Sequence, residues 1–354
     1  MIIHSRFKDY VVNIENDFSF LKDLMQIENA EFVIDRNVYN LYYTYFKDVL
    51  EERLFLIDAT EENKVLDTAL EICEKMTSIP AKRNAHLISI GGGIVQDITG
   101  FVANILYRGI PWIFVPTTLL ASCDSCIGGK TSLNYKKFKN LLGTFYPPDK
   151  LYICPLFFET LTEKDYKSGL GEVIKFNIMA GEEGLSNIEN NIEQLLIRDV
   201  KCLNQFVESS LAFKKSFIEI DEFDKGERIK LNFAHTFGHA IETVTQYEIP
   251  HGTAVAIGMV MANRIAEKRG LLNSDIARRS ENVLLPVISI KNDLSDYPLE
   301  QIISAIRKDK KQTNESLTAV LMTNKPRDLR IVHDLQTSEV QDAILYFQTI
   351  YRRG

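Results

Sequence analysis

Apolar positions in the first half of the chain fall in short runs separated by amphipathic stretches. Residues 2–14 read as extended, and Phe32-Val33-Ile34, Leu54-Phe55-Leu56-Ile57, His86-Leu87-Ile88-Ser89-Ile90 and Trp112-Ile113-Phe114-Val115 are β-like runs. Between them, Val65, Leu66, Ala69, Leu70, Cys73 and Met76 recur at helical spacing. This βαβα rhythm predicts a parallel sheet covered by helices, with ligands beyond the carboxyl ends of the strands. From about Thr160 onward the β-like runs thin out, and helical periodicity takes over through 185–196, 200–220, 229–247, 254–269 and 299–306. Pro147, Pro148 and Pro155 flank the change. The expected organisation is an α/β domain over 1–160 and a mainly α-helical domain over 161–354.

At 354 residues the chain exceeds the size at which one core usually stops growing, which fits two domains. A formal net charge of −7 argues against a general nucleic-acid surface, so any anion must be gripped locally. No apolar run reaches the roughly 18 residues of a membrane span, and the N-terminus lacks a basic-then-apolar leader pattern. A cytoplasmic protein is expected. Five cysteines at irregular spacing do not resemble a disulfide framework, and the Cys123/Cys126 pair reads as small buried hydrophobes.

The candidate chemistry starts at His235-Thr-Phe-Gly-His239. In a helix over 229–246 both imidazoles share one face, and three of the six histidines, with His251, fall within seventeen residues. Such a face could hold a zinc-like ion. Glu172 and Lys175, at i and i+3 on one helix face, read as a carboxylate ligand with an ammonium directed at substrate, or as a plain surface ion pair. The run ending at Ile90 leads into Gly91-Gly92-Gly93, which is not G-x-G-x-x-G and reads either as a tight turn or as a loop that lets a pyrophosphate approach a helix N-terminus. Asp35, and Asp58 with Glu61 and Lys64, stand at other strand ends. Gly128-Gly129-Lys130-Thr131 is no P-loop, because Asp124 occupies the position of its first glycine. With Lys136, Lys137, Lys139 and Asn140 it reads as a turn able to bind phosphate or carboxylate, or as a solvated basic loop.

These residues belong to a longer series: GGGIVQDITGF (91–101), YRG (107–109), VPTTLL (115–120), DSCIGGKTSLN (124–134), KN (139–140), GLGEVIK (169–175), RIKLNFAHTFGHAIE (228–242), HGTAVAIGM (251–259) and DKK (309–311). In this order and spacing the chain resembles 3-dehydroquinate synthase, within the sugar phosphate cyclases. The resemblance implies a Rossmann-like NAD-binding α/β domain, an α-helical C-terminal domain, one divalent metal between them (usually zinc, with cobalt as the alternative) and a homodimer. It implies Glu172, His235 and His251 as metal ligands, with His239 turned to the substrate. NAD falls to Asp35, Glu61, Lys64, Gly92, Gly93, Asp97, Thr117 and Thr118, with Lys130 and Lys139 nearby.

For the substrate, 3-deoxy-D-arabino-heptulosonate 7-phosphate, it implies Arg108 (from the second subunit), Asp124, Lys130, Lys139, Asn140, Lys175, Lys214, Arg228, Asn232, His239 and one of Lys310 or Lys311. The implied reaction is a phosphate-eliminating lyase step of aromatic amino acid biosynthesis in the shikimate pathway, in which NAD is reduced and then restored. The alternatives are a sister cyclase making an aminodehydroquinate, an inosose or a valiolone, and a metal-dependent polyol dehydrogenase. Gln96, Phe138, Asp224 and Thr253 depart from the family's usual pattern.

Overall fold

A computed structural model of the protein describes residues 1–78, 84–136, 138–290, 294, 297–308 and 317–352. The chain divides into two compact units, Met1–Leu161 and Thr162–Gly354. Among the described residues no helix is long and apolar enough to cross a membrane.

In the first unit the strands are β1 (Ile2–Ile3), β2 (Tyr10–Ile14), β3 (Ala30–Asp35), β4 (Leu54–Ile57), β5 (His86–Gly91), β6 (Trp112–Pro116), β7 (Lys130–Tyr135), β8 (Phe138–Phe145) and β9 (Lys150–Ile153). Seven of them form one sheet in the order β1-β2-β9-β6-β5-β3-β4, parallel except for the β1–β2 pair. The continuous burial of β3, β5 and β6 is what strands covered on both faces require. The periodicity identified these strands correctly but did not reveal β9, which is inserted between β2 and β6. It also read the basic segment after Gly128 as a turn, whereas β7 and β8 form an antiparallel hairpin there. That hairpin packs on the helix Gly93–Ile105, where a Cβ on Gly100 would press into the side chains of Thr131 and Trp112.

The second unit is mainly helical, as expected, and adds a hairpin that the helical periodicity obscured, β10 (Leu317–Met322) with β11 (Leu329–Leu335). The predicted helix over 229–246 is two pieces. A 3-10 segment covers Glu227–Asn232, and the helix His235–Val244 starts only after Ala234, whose φ of 69° breaks the run. A second helix, His251–Lys268, starts one residue after Pro250, whose missing N–H suits a helix start. His235 and His251 are thus each the first residue of a helix.

The two helices and the helix Glu163–Met179 are held together through glycine. A Cβ on Gly171 would overlap the carbonyl of Gly252, and one on Gly252 would overlap the carbonyl of Ser168. A Cβ on Gly258 would likewise overlap the carbonyl of Ala234, and one on Gly238 would sit 3.2 Å from the Val255 backbone. Backbone therefore meets backbone at the residues adjoining Glu172 and His251. The Gly252 amide closes the contact by donating to Ser168 Oγ at 3.0 Å.

Replacing Gly252 with Ala is expected to drive these helices apart, lowering unfolding stability by roughly 3 kcal/mol. Gly270→Ala, at a φ of 69° with nothing within 4 Å of the added methyl, should cost only about 1 kcal/mol. Urea unfolding of both variants checks the ordering, and equal losses would contradict the packing argument.

Candidate active site

The helix contacts bring Glu172, His235 and His251 together, with ligand atoms within 4.8 Å of one another. Glu172 is fully buried, and among the described residues neither carboxylate oxygen has a hydrogen-bond partner. Lys175 forms a close ion pair with its Oε2, without hydrogen-bond geometry. His235 places Nδ1 at 3.0 Å from the Phe233 carbonyl, which can only accept, so Nδ1 carries a proton and, in the neutral ring, Nε2 presents a lone pair. That Nε2 lies 3.7 Å from Glu172 Oε1. His251 directs Nδ1 to Glu242 Oε2 at 3.0 Å and Nε2 to the same Glu172 Oε1 at 3.5 Å.

Two imidazole nitrogens and a carboxylate oxygen at these separations fit the coordination edges of one tetrahedral ion with bonds of about 2.1 Å. Such an ion would engage Glu172 Oε1, while Lys175 pairs with Oε2. Without a cation, burial disfavours a charged His251 ring, yet Glu242 and Glu172 outweigh that and push its pKa up to about 10.

His239 stands beside these groups, its ring centroid 5.4 Å from that of His235 and 5.9 Å from that of His251. It also belongs to a second cluster, with Glu242 and His251, in which all three residues are half-buried. Donor chemistry favours the Glu172 cluster, because the Glu242 carboxylate is already engaged by His251. Lys214 and Arg228 are buried cations on packed segments, the helix Val200–Ile218 and the 3-10 turn Glu227–Asn232. Arg228 donates from Nη1 to the Glu222 carbonyl, and Asn232 Nδ2 donates to the Ile229 carbonyl at 2.9 Å. Lys310 and Lys311 lie outside the described residues.

In the first unit, the strand ends assemble a polar network around the glycine turn. Thr117 ties β6 to β5 through its N–H to the Gly91 carbonyl at 2.9 Å. A Cβ on Gly92 would touch Thr118 Cγ2 at 3.0 Å, and one on Gly91 would lie 3.3 Å from Asp35 Cβ. Asp35 caps the helix Arg36–Leu41 by accepting from the Asn37 N–H, and burial raises its carboxyl pKa against the effect of that bond. Gly93 opens the helix that carries Asp97.

Asp97 pairs closely with Lys64, whose ammonium also donates to Asn140 Oδ1 at 2.7 Å. Burial raises the Asp97 pKa while Lys64 opposes the rise. Ser132 Oγ lies 2.8 Å from Asp97 Oδ2 and 2.9 Å from Asn140 Oδ1. Asn134, at the register irregularity of β7, donates to Glu61 Oε2 at 2.8 Å and accepts from the Asn140 N–H. Lys139 pairs with Glu61 at 3.3 Å. Ser132 and Asn134 drew no role from sequence. Their alternation along a strand was the available signal, and it became readable only once the hairpin was known.

Asp124 lies in the π-turn Ala121–Ser125, and Lys130 opens β7. Gln96, the buried departure from the family pattern, donates to the Ser125 carbonyl and accepts from Ser125 Oγ, both at 2.7 Å, so it fastens the π-turn to the glycine-turn helix. Arg108 is exposed, in a run where Tyr107, Arg108 and Gly109 all have positive φ.

The 3-dehydroquinate synthase N-terminal family model matches residues 54–168, and the 3-dehydroquinate synthase C-terminal model matches residues 169–312. A 3-dehydroquinate synthase of Dictyoglomus turgidum is 36% identical over 326 residues, covering 92% of this chain and 90% of that protein. The chain belongs to the 3-dehydroquinate synthase family. A second 3-dehydroquinate synthase, from Clostridium tetani, is 35% identical over 96% of this chain and 92% of its own length. Among solved structures, 2-epi-5-epi-valiolone synthase from Streptomyces hygroscopicus, determined with NAD+ and Zn2+ bound, superposes with a TM-score of 0.83 at 24% identity, over 96% of this chain and 97% of that one. At that identity it shows the shared fold.

Within the 3-dehydroquinate synthase family frame, the Lys64–Asp97 pair tests how the network is held. Asp97→Ala leaves the Lys64 ammonium buried without its counter-charge and is expected to lower stability by roughly 3 kcal/mol. Lys64→Met combined with Asp97→Leu should recover most of that loss in urea unfolding. No recovery would mean that the pair is not the source of the cost.

Proposed function

We propose that the protein is a 3-dehydroquinate synthase, a carbon–oxygen lyase that converts 3-deoxy-D-arabino-heptulosonate 7-phosphate into 3-dehydroquinate and phosphate. The convergence of His235 Nε2 and His251 Nε2 on the unbonded Oε1 of Glu172 is the observation that supports this reading best. A divalent cation held by these three, Zn2+ with Co2+ as the substitute, would act as a Lewis acid on a substrate alcohol. NAD, assigned to Asp35, Glu61, Lys64, Gly92, Gly93, Asp97, Thr117 and Thr118, would accept a hydride and return it in each turnover.

The chain's own groups divide the remaining work. Lys175, whose ammonium adjoins Glu172 Oε2, orients the reacting hydroxyl with Asp124. Lys130, Lys139 and Asn140 grip the phosphate, as point charges and an amide donor. Lys214, Arg228 and Asn232 receive the carboxylate, as two cations and an amide donor. His239 hydrogen-bonds the phosphate or relays a proton to it through a ring nitrogen. Arg108 acts from the second subunit of a homodimer. The resemblance adds one of Lys310 and Lys311 to the substrate's partners, and the enzyme works in the cytoplasm in aromatic biosynthesis.

The assay incubates zinc-loaded protein with the heptulosonate phosphate and catalytic NAD. Release of phosphate with no net NADH is expected. Stoichiometric NADH without phosphate would instead mark a polyol dehydrogenase, and neither product would exclude this substrate. In the same assay His251→Ala is expected to lose bound metal, whereas His239→Ala keeps the metal and loses turnover by on the order of 10²–10⁴. Equal metal loss in both variants would contradict the division of roles.

A further inference from the structure

Glu242 has no part in the chemistry above, yet its position is closely determined. It stands three residues after His239 and seven after His235, on the same helix, and its side chain reaches the first residue of the next helix, His251. Its backbone carbonyl accepts from the Tyr247 N–H at 2.8 Å, and its carboxylate Oε2 meets His251 Nδ1 at 3.0 Å. Gln246 and Tyr247, both at positive φ, turn the chain back after the helix His235–Val244. The connection from one ligand-bearing helix to the other is thus closed at both ends on a single residue.

We propose that Glu242 is the positioning residue that fixes His251 for cation binding. The inference rests on the assignment of the cation to Glu172, His235 and His251. A carboxylate on Nδ1 holds the proton on that nitrogen and aims Nε2 at Glu172 Oε1, where it lies at 3.5 Å. The Phe233 carbonyl performs the same task for His235. The two rings differ in one respect: the partner of His235 is neutral backbone, whereas that of His251 carries charge and makes the imidazole a stronger donor to a cation.

Glu242 also lies in the cluster with His239 and His251, so it must be distinguished from a ligand. Metal-free wild-type protein, Glu242→Leu and Glu242→Gln are titrated with Zn2+ against a chromophoric chelator, and the visible spectrum of each Co2+ form is recorded. Glu242→Leu is expected to bind Zn2+ weaker by about 10–100-fold. Glu242→Gln, which still accepts from Nδ1 and preserves the shape, should recover much of that loss, with the Co2+ spectrum unchanged in form throughout. Wild-type Zn2+ affinity in Glu242→Leu would overturn the proposal. So would a Co2+ spectrum altered in both variants, which would make Glu242 a ligand. A parallel titration of Glu172→Gln separates the two levels: undiminished Zn2+ binding there overturns the cation assignment itself.

Discussion

Backbone contact between Gly171 and Gly252 is the constraint on which the candidate metal site depends. Neither position tolerates a side chain, because the carbonyls of Ser168 and Gly252 occupy the space a Cβ would need. The residues next to this contact are Glu172 and His251, so the closeness of the helices sets the 3.5 Å separation of their ligand atoms. Gly238 and Gly258 bring the helix headed by His235 onto the same partner. Rigid helices then carry the geometry, and hydrogen bonds to Nδ1 fix each ring. The buried Glu172 carboxylate is paired with Lys175 through Oε2, and in our reading a cation would engage the Oε1 that faces the two imidazoles.

The first unit solves a different problem with different means. Its parallel strands end at one edge, and a glycine turn exposes the N-terminus of the helix Gly93–Ile105, where an anionic group is favoured by backbone N–H donors and the helix dipole. The polar residues around it are cross-linked instead of isolated. Glu61, Lys64, Asp97, Lys139 and Asn140 share bonds through Ser132 and Asn134 on the β7–β8 hairpin. In the proposed function these include groups assigned to NAD and groups assigned to phosphate, so in our reading one network serves both.

Much of this was legible in the sequence where burial imposes a period. The runs at β3, β5 and β6 were readable because strands covered on both faces are continuously apolar, and β4, the edge strand, was readable from its unbroken apolar run. Helical periodicity gave 185–196 because its buried positions, Leu185, Ile188 and Leu195, recur at helical spacing, and it gave 254–269 as well. The β7–β8 hairpin was not legible, because β8 exposes Phe138 and Leu141 and its lysines and asparagines read as loop. The hairpin of β10 and β11 was hidden behind the helical pattern on either side. For the site, histidine spacing pointed to the right segment but not to its geometry. Ala234 at positive φ breaks the expected helix, and only the fold brings Glu172 and His251 to His235. Motif resemblance carried the choice of ligands, while Glu242, Ser132 and Asn134 needed the structure.

The central claim is that one cation sits among Glu172, His235 and His251. Anomalous diffraction at the zinc edge from crystals of the zinc-loaded protein tests it most directly. A single anomalous peak bounded by Glu172 Oε1, His235 Nε2 and His251 Nε2 is expected. A peak among His239, Glu242 and His251, with Glu172 left uncoordinated, would contradict it.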